Sequence, residues 1–293
     1  MLKEKFLQYL QFEKRYSKHT VTSYNSDLND FRVFCETSYN LSEVHEADHT
    51  IIRSWVVNLM ENKLNPRSVN RKLTCLSSFF KFLMKINVLK TNPLLKVVHP
   101  KNKKRLPVFV EESKMENLFN LVEFKDDFKG QRDKLILILF YTCGIRLSEL
   151  INLKINDVHK TGLKVLGKRN KERIIPVIPA LSNQVQIYIG LKNKHFSDNK
   201  SEFLVLSDKG EKLNEKFVYR KVKLYLSQVT SMSKRSPHII RHTFATHMLN
   251  NGAGLNAIKE LLGHANLAAT QIYTHNTVEK LKSVYQQAHP LAG

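Results

Sequence analysis

The sequence predicts a mostly α-helical protein of two domains: an N-terminal helical bundle, then a larger helical domain that carries a small β-hairpin. Three observations predict it. Apolar residues recur at helical spacing over most of the 293 residues. One segment after residue 162 has β-type ends around a polar, glycine-containing turn, and a proline-bounded basic stretch near residue 100 has no period at all.

Ser17 caps a first long helix in which Thr20, Tyr24, Leu28, Phe31 and Cys35 form one stripe. Asp48 caps a second, with Ile51, Ile52, Trp55, Val56 and Leu59 inward. Asn65-Pro66 opens a third, because proline suits the first helical turn. Its core face is Val69, Leu73, Leu76, Phe80 and Leu83, and Arg67, Arg71 and Lys72 point elsewhere, free for a ligand. Asn92-Pro93 closes this bundle, residues 1–98. Residues 99–107, His99 to Pro107, read as a basic interdomain linker in which Lys103, Lys104 and Arg105 are placed to cross a phosphate backbone. From residue 108 to 293 the pattern is helical again. The exception is the segment Leu163 to Val177, a hairpin with Lys168 near its tip; Phe203 to Leu206 reads as one more short strand.

Charge narrows the function. The formal net charge is +21 and the pI about 9.8, a field that favours a polyanion, nucleic acid before membrane. The lysines are spread along the chain rather than gathered beside an apolar anchor, which argues against a membrane surface. The longest apolar run, Leu135 to Phe140, is too short to span a bilayer. Met1-Leu-Lys-Glu-Lys-Phe6 is charged and unlike a signal peptide, so the expected location is the cytoplasm. Cys35, Cys75 and Cys143 have no metal-ligand spacing and read as buried thiols.

Two stretches hold the chemistry. In Thr142-Cys-Gly-Ile-Arg-Leu-Ser-Glu-Leu150, Gly144 permits a turn and Arg146 starts the next helix. The second stretch begins Ser236-Pro-His-Ile-Ile-Arg-His-Thr-Phe-Ala-Thr-His-Met-Leu249. It continues through Leu261-Leu-Gly-His264 to Thr270-Gln-Ile-Tyr-Thr-His275. Together these residues resemble the tyrosine recombinases (integrases), and within them the Xer recombinases. The likeness covers nearly the whole chain, including Gln286-Gln-Ala-His-Pro290 and the linker end Arg105-Leu-Pro107. It departs at Ala268-Ala269, where the family is more polar just before the nucleophile.

The resemblance implies a core-binding DNA clamp (1–98) and a catalytic domain (108–293) that ends in an exchange helix. It implies Tyr273 as nucleophile, Arg146 and Arg241 as a clamp on the scissile phosphate, His238 and His264 completing the pocket, and Lys168 as general acid. It further implies duplex DNA as substrate, a cyclic tetramer with itself or a second Xer-like recombinase, and a cell-division DNA translocase as a candidate partner. Resolution of chromosome or plasmid dimers is expected ahead of phage or mobile-element integration.

The residue types fit that chemistry. Cleaving a DNA backbone passes through a pentavalent phosphorus whose non-bridging oxygens gain negative charge, and guanidinium groups present forked donors that stay charged. The covalent link to tyrosine stores the phosphodiester energy, so neither nucleotide cofactor nor metal is expected, and no nucleotide-type glycine loop is present.

Taken singly the residues are weaker. Arg146 reads equally as an ion-pair partner of Glu149. Tyr188, Tyr219 and Tyr285 compete with Tyr273, and Arg169, Lys171 and Arg173 crowd the turn of Lys168. His238 and His242 have zinc-helix spacing, but no glutamate follows the first, and Arg241 sets a cation beside the site. His247 reads as a structural, hydrogen-bonded histidine. The rival functions are a type IB topoisomerase and a non-catalytic DNA-binding protein of the same fold. Near the end, Thr277 is placed to cap a short helix with Val278, Leu281, Val284 and Tyr285 on one face. That stripe covers either its own domain or, as the resemblance implies, a neighbouring subunit.

Overall fold

The computed structural model describes residues 1–102, 108–159, 162–167, 172–197, 201–263 and 275–291, with the backbone alone for 275–280 and 282. The chain divides into two compact units, Met1–Arg105 and Leu106–Gly293.

Helix caps build the first unit: α1 (Leu2–Gln8), α2 (Lys18–Tyr39), α3 (His49–Glu61) and α4 (Pro66–Lys85). The Ser17 hydroxyl accepts from the Thr20 amide, the Asp48 carboxylate from Thr50 and Ile51, and the Asn65 side chain from Ser68, with Pro66 next. All three starts were legible as caps. The apolar stripes then meet in one core, where Phe31 and Trp55 lie 4.7 Å apart between ring centroids. Val69, Leu73, Leu76, Phe80 and Leu83 are completely buried there.

One expectation for α4 is corrected. Lys72 does not point away: its side chain is buried, donating to Asp27 at 3.1 Å and Asp30 at 2.5 Å. Arg71 is half-exposed, yet it forks onto both oxygens of the same Asp27. Asp27 is itself buried, and both cations meet it there. Arg67 is exposed and has no ion pair among the described residues.

The second unit is arranged around an apolar rod. It contains α5 (Glu112–Asn120), α6 (Phe128–Cys143), α7 (Leu147–Asn152), β1 (Val158–His159), β2 (Gly162–Leu166) and β3 (Glu172–Ile175). There follow α8 (Pro179–His195), α9 (Glu215–Val229), α10 (Pro237–Asn250), α11 (Leu255–Leu262) and α12 (His275–Ala288). Every residue of α6 from Leu135 to Cys143 is buried, as a helix without a polar face must be. Helices α8 and α10 pack along it.

The hairpin forms as expected, with β2 and β3 antiparallel and Leu163 opposite Ile175, Val165 opposite Arg173. The two-residue β1 adds an edge to it, too short to leave a periodic signal. Phe203 to Leu206 does not form a strand. Its ends make only isolated bridges, to Lys154 and Lys212, and Leu204, Val205 and Leu206 are all buried in the core.

The C-terminal helix also departs from expectation. It starts at His275, so Thr277 lies inside it rather than capping it. In the single chain its stripe is covered by its own unit: Leu281, Tyr285 and Ala288 are buried. The Tyr285 hydroxyl donates to the Thr142 carbonyl, His289 Nε2 donates to the Tyr141 carbonyl at 3.1 Å, and Asn251 donates to the Ala288 carbonyl at 3.0 Å. Burial pushes His289 down to about 4, so the ring is neutral at pH 7. Among the described residues no helix is long and apolar enough to cross a membrane.

Removing the Asp27 carboxylate strands the buried Lys72 ammonium beside a single exposed partner. Asp27→Ala is expected to destabilise the first unit by about 3 kcal/mol. Urea unfolding of the full chain, followed through the fluorescence of Trp55, the one tryptophan, measures this unit selectively. A loss below about 1 kcal/mol, the scale of a surface pair, would show that the buried cluster is not what holds α2 to α4.

Candidate active site

Gly144 closes α6 in the left-handed region, at φ +54. A Cβ there would lie 2.5 Å from the Phe244 ring, so both the turn and the packing exclude a side chain. Two residues later Arg146 becomes the N-cap of α7. Its amide donates to Glu149 Oε2 and its Nη1 to Glu149 Oε1, both at 2.7 Å. Its Nη2 reaches the Gly263 carbonyl at 3.2 Å, while the side chain keeps 23 % of its surface exposed. The ion pair anticipated between Arg146 and Glu149 therefore exists, but it does not use up the arginine.

Arg241 comes from the opposite side, on α10. It is buried, donating through Nη1 to the Gly144 carbonyl and through Nη2 to the Leu262 carbonyl at 2.6 Å. Its Nη1 also lies 3.9 Å from Glu149 Oε2. Burial, then the neighbouring charges of Arg146 and Arg173, pushes it down to about 9; Glu149 works the other way. A group with that value is still cationic at neutral pH. His238 stands one turn earlier on α10, exposed, with no hydrogen-bond partner among the described residues. The i, i+3 spacing sets it beside Arg241 on the helix surface.

The residue that organises the two arginines is Glu149, and it has a third partner. Arg173, from β3, forks onto the carboxylate at 3.0 and 2.9 Å. Its Nε donates to the Leu261 carbonyl at 2.8 Å. Each Glu149 oxygen thus accepts two hydrogen bonds, which fills its lone pairs. Burial alone would raise the Glu149 carboxyl. The hydrogen bonds and charge of Arg173, with those of Arg146, overcome it and hold the group down at about 2. Three guanidinium groups around one carboxylate leave two positive charges, and Arg146 and Arg241 are the ones not fully spent on it.

The structure thus brings together Arg146 and Arg241, with His238 beside the latter. Lys168, His264 and Tyr273 lie outside the described residues, as do Lys103, Lys104 and Arg105. In the sequence, Lys168 falls between β2 and β3, and His264 follows Gly263, whose carbonyl Arg146 holds. Arg173 was read as one of several turn cations and missed as a site residue. The signal was present: with Ile175 facing inward, a period of two puts Arg173 on the core face of β3, where a charge needs a partner. His247 is structural, as expected, donating from Nε2 to the Val110 carbonyl and accepting at Nδ1 from Tyr141, both at 2.9 Å. Among the described residues no cluster of His, Cys, Asp and Glu is arranged to hold a metal.

Comparison with known proteins gives the family and agrees with the fold. Residues 109–280 match the phage integrase family, and residues 4–87 match the phage integrase N-terminal SAM-like domain. The chain is 38% identical over 296 residues to tyrosine recombinase XerC of Staphylococcus aureus (strain JH9), covering 99% of this chain and 97% of that one. It is also 38% identical over 293 residues to tyrosine recombinase XerC of Staphylococcus saprophyticus, covering 99% and 98%. In fold it is similar to the XerH site-specific recombinase bound to palindromic difH substrate, with a TM-score of 0.71 at 16% identity over 99% and 92% of the two chains. A lambda integrase dimer bound to a COC′ core site gives 0.67 at 16% identity over 92% and 98%.

The low value of Glu149 has a stability consequence. A carboxylate depressed on folding contributes stability that is complete above its ordinary value of 4.5 and is lost as pH falls through about 2. Glu149→Gln is expected to be less stable than the parent at pH 7 by about 3 kcal/mol, since it leaves Arg173 buried without a counter-charge. The gap should narrow below pH 4.5 and close near pH 2. Melting followed by circular dichroism from pH 7 downward gives both curves. Parallel curves would mean that the carboxylate is not ionised in the folded site.

Proposed function

Since the chain belongs to the phage integrase family, as a site-specific tyrosine recombinase of the Xer type, we propose that it cleaves duplex DNA through Tyr273 with the phosphate held by Arg146 and Arg241. The observation that carries this reading is the pair of converging guanidinium groups with surplus positive charge beside Glu149. A phosphodiester is a monoanion, and its pentavalent transition state gains a second negative charge. Two fixed cations, one of them buried, match that change better than they match the ground state, which is the condition for catalysis.

In the proposed step the Tyr273 phenolate oxygen bonds to phosphorus and the bond from phosphorus to the 5′ oxygen breaks. Lys168 gives its proton to that oxygen. The products are a 3′-phosphotyrosine and a free 5′-hydroxyl, and attack by the 5′-hydroxyl of a partner strand reverses the step. Histidines 238 and 264 add donors to the phosphate oxygens. The bond energy stays in the protein–DNA link, so the reaction proceeds without nucleotide and without metal. The N-terminal bundle and the basic linker supply phosphate contacts through Arg67, Lys103, Lys104 and Arg105, which set affinity rather than sequence preference. Arg71 and Lys72 contribute less there, because Asp27 already engages both.

Near-complete coverage of the XerC relatives supports resolution of chromosome or plasmid dimers in the cytoplasm. The proposed assembly is a cyclic tetramer of this chain or of this chain with a second Xer-like recombinase, with a cell-division translocase as its proposed activator. Its C-terminal helix then has to leave its own unit to reach a neighbour, exchanging the Tyr285 and His289 contacts for equivalent ones.

Trapping on a nicked suicide duplex, in EDTA and without nucleotide, tests the chemistry. The parent protein should form a covalent adduct that survives denaturing electrophoresis. Tyr273→Phe should bind the duplex and form none. Arg146→Ala and Arg241→Ala should each cleave at least about 100-fold more slowly, as for loss of a preorganised oxyanion donor. An adduct from Tyr273→Phe, or cleavage by either arginine variant within a few-fold of the parent, would overturn the assignment.

A further inference from the structure

We propose that Arg173 is a positioning residue for strand cleavage: it takes up the Glu149 charge so that Arg146 and Arg241 remain available to the scissile phosphate. The inference rests on the phosphate clamp proposed above and concerns a residue outside it.

The position is unusual for a cation. Along β2 and β3 the inward row is Leu163, Val165, Ile175 and Arg173, and the guanidinium is only 4% exposed. A leucine or methionine would satisfy the packing of that row. Burying a cation there instead requires a counter-charge and filled hydrogen bonds, and Arg173 finds them in Glu149 and the Leu261 carbonyl. Gly263 is fitted to it. That residue sits at φ +64, and a Cβ on it would press within 3.1 Å of Arg173 Cδ and 3.2 Å of its Nη1. The same Gly263 gives its carbonyl to Arg146, and the preceding Leu262 gives its carbonyl to Arg241. One turn of backbone at the end of α11 therefore carries all three arginines on successive carbonyls.

Charge explains why this matters to the reaction. Without Arg173 one carboxylate faces two arginines, and a single positive charge is left for the phosphate. The freed lone pairs of Glu149 would also draw Arg146, already at 2.7 Å, and Arg241, now at 3.9 Å, away from the open side of the site. Lysine at 173 keeps the charge but cannot fork onto both oxygens and reach Leu261 as well.

The test compares substrates that differ in charge. Full-length Arg173→Met and Arg173→Lys are assayed for single-turnover cleavage on a nicked duplex with an ordinary scissile phosphodiester and on one with a neutral methylphosphonate there. On the phosphodiester, Arg173→Met should be slower by about 10-fold or more, the scale of one charge-assisted contact, with Arg173→Lys in between. On the neutral substrate, which places less demand on the cations, both should come within about three-fold of the parent. DNA binding by gel shift should be unchanged. Arg146→Ala runs in parallel. If its defect fails to shrink on the neutral substrate, the phosphate clamp is wrong, and this inference falls with it. If its defect shrinks but that of Arg173→Met does not, or if Arg173→Met cleaves the phosphodiester at the parent rate, the clamp stands and the role given to Arg173 is overturned. Loss of folding or DNA binding in both Arg173 variants would assign the residue to the fold alone and overturn the inference equally.

Discussion

The catalytic unit depends on one buried carboxylate. Glu149 accepts from the Arg146 amide, from the Arg146 guanidinium and twice from Arg173, and lies 3.9 Å from Arg241. An isolated carboxylate in that place would be protonated, and isolated arginines would repel one another or stay in water. Together they form a cluster with a defined geometry and a surplus of positive charge. The proposed hold on a phosphate rests on that surplus rather than on any single arginine.

That cluster is held by rigid packing behind it. The apolar helix α6 ends at Gly144 in the left-handed region, where Phe244 of α10 and Leu262 of α11 leave no room for a Cβ, and Arg241 donates to the Gly144 carbonyl, joining the two arginine-bearing segments. On the far side of α6, Tyr141 links His247 and His289 through its hydroxyl and its carbonyl. Both rings are lowered by burial and neutral, each with one nitrogen donating to a carbonyl and the other accepting. The docked C-terminal helix therefore closes the core through specific donors as well as apolar area.

The first unit solves a similar problem with the opposite balance. Asp27 is a buried anion met by Lys72 and Arg71, and Lys72 also reaches Asp30. Here the charges nearly cancel and the result is structural, tying α2 to α4. In the second unit they do not cancel, and the proposed binding site rests on what remains unpaired.

What the sequence determined alone is what neighbours in the chain decide. Ser17, Asp48 and Asn65 announce helix starts because each cap bonds an amide two or three residues on. The stripe from Val69 to Leu83 announces a buried face, Gly144 a turn and Arg146 the helix start after it. The ordered motifs around Arg146, His238 and Arg241 announced the chemistry. Tertiary structure decided the rest. Arg173 meets Glu149 24 residues away and Leu261 88 residues away, and nothing local distinguishes it from Arg169 or Lys171 except a period of two. Lys72 looked like a surface cation until Asp27, 45 residues distant, was brought beneath it. Caps and periodicities are properties of a few successive residues, whereas the pairing of buried charges is settled only when distant helices and strands take their register against one another.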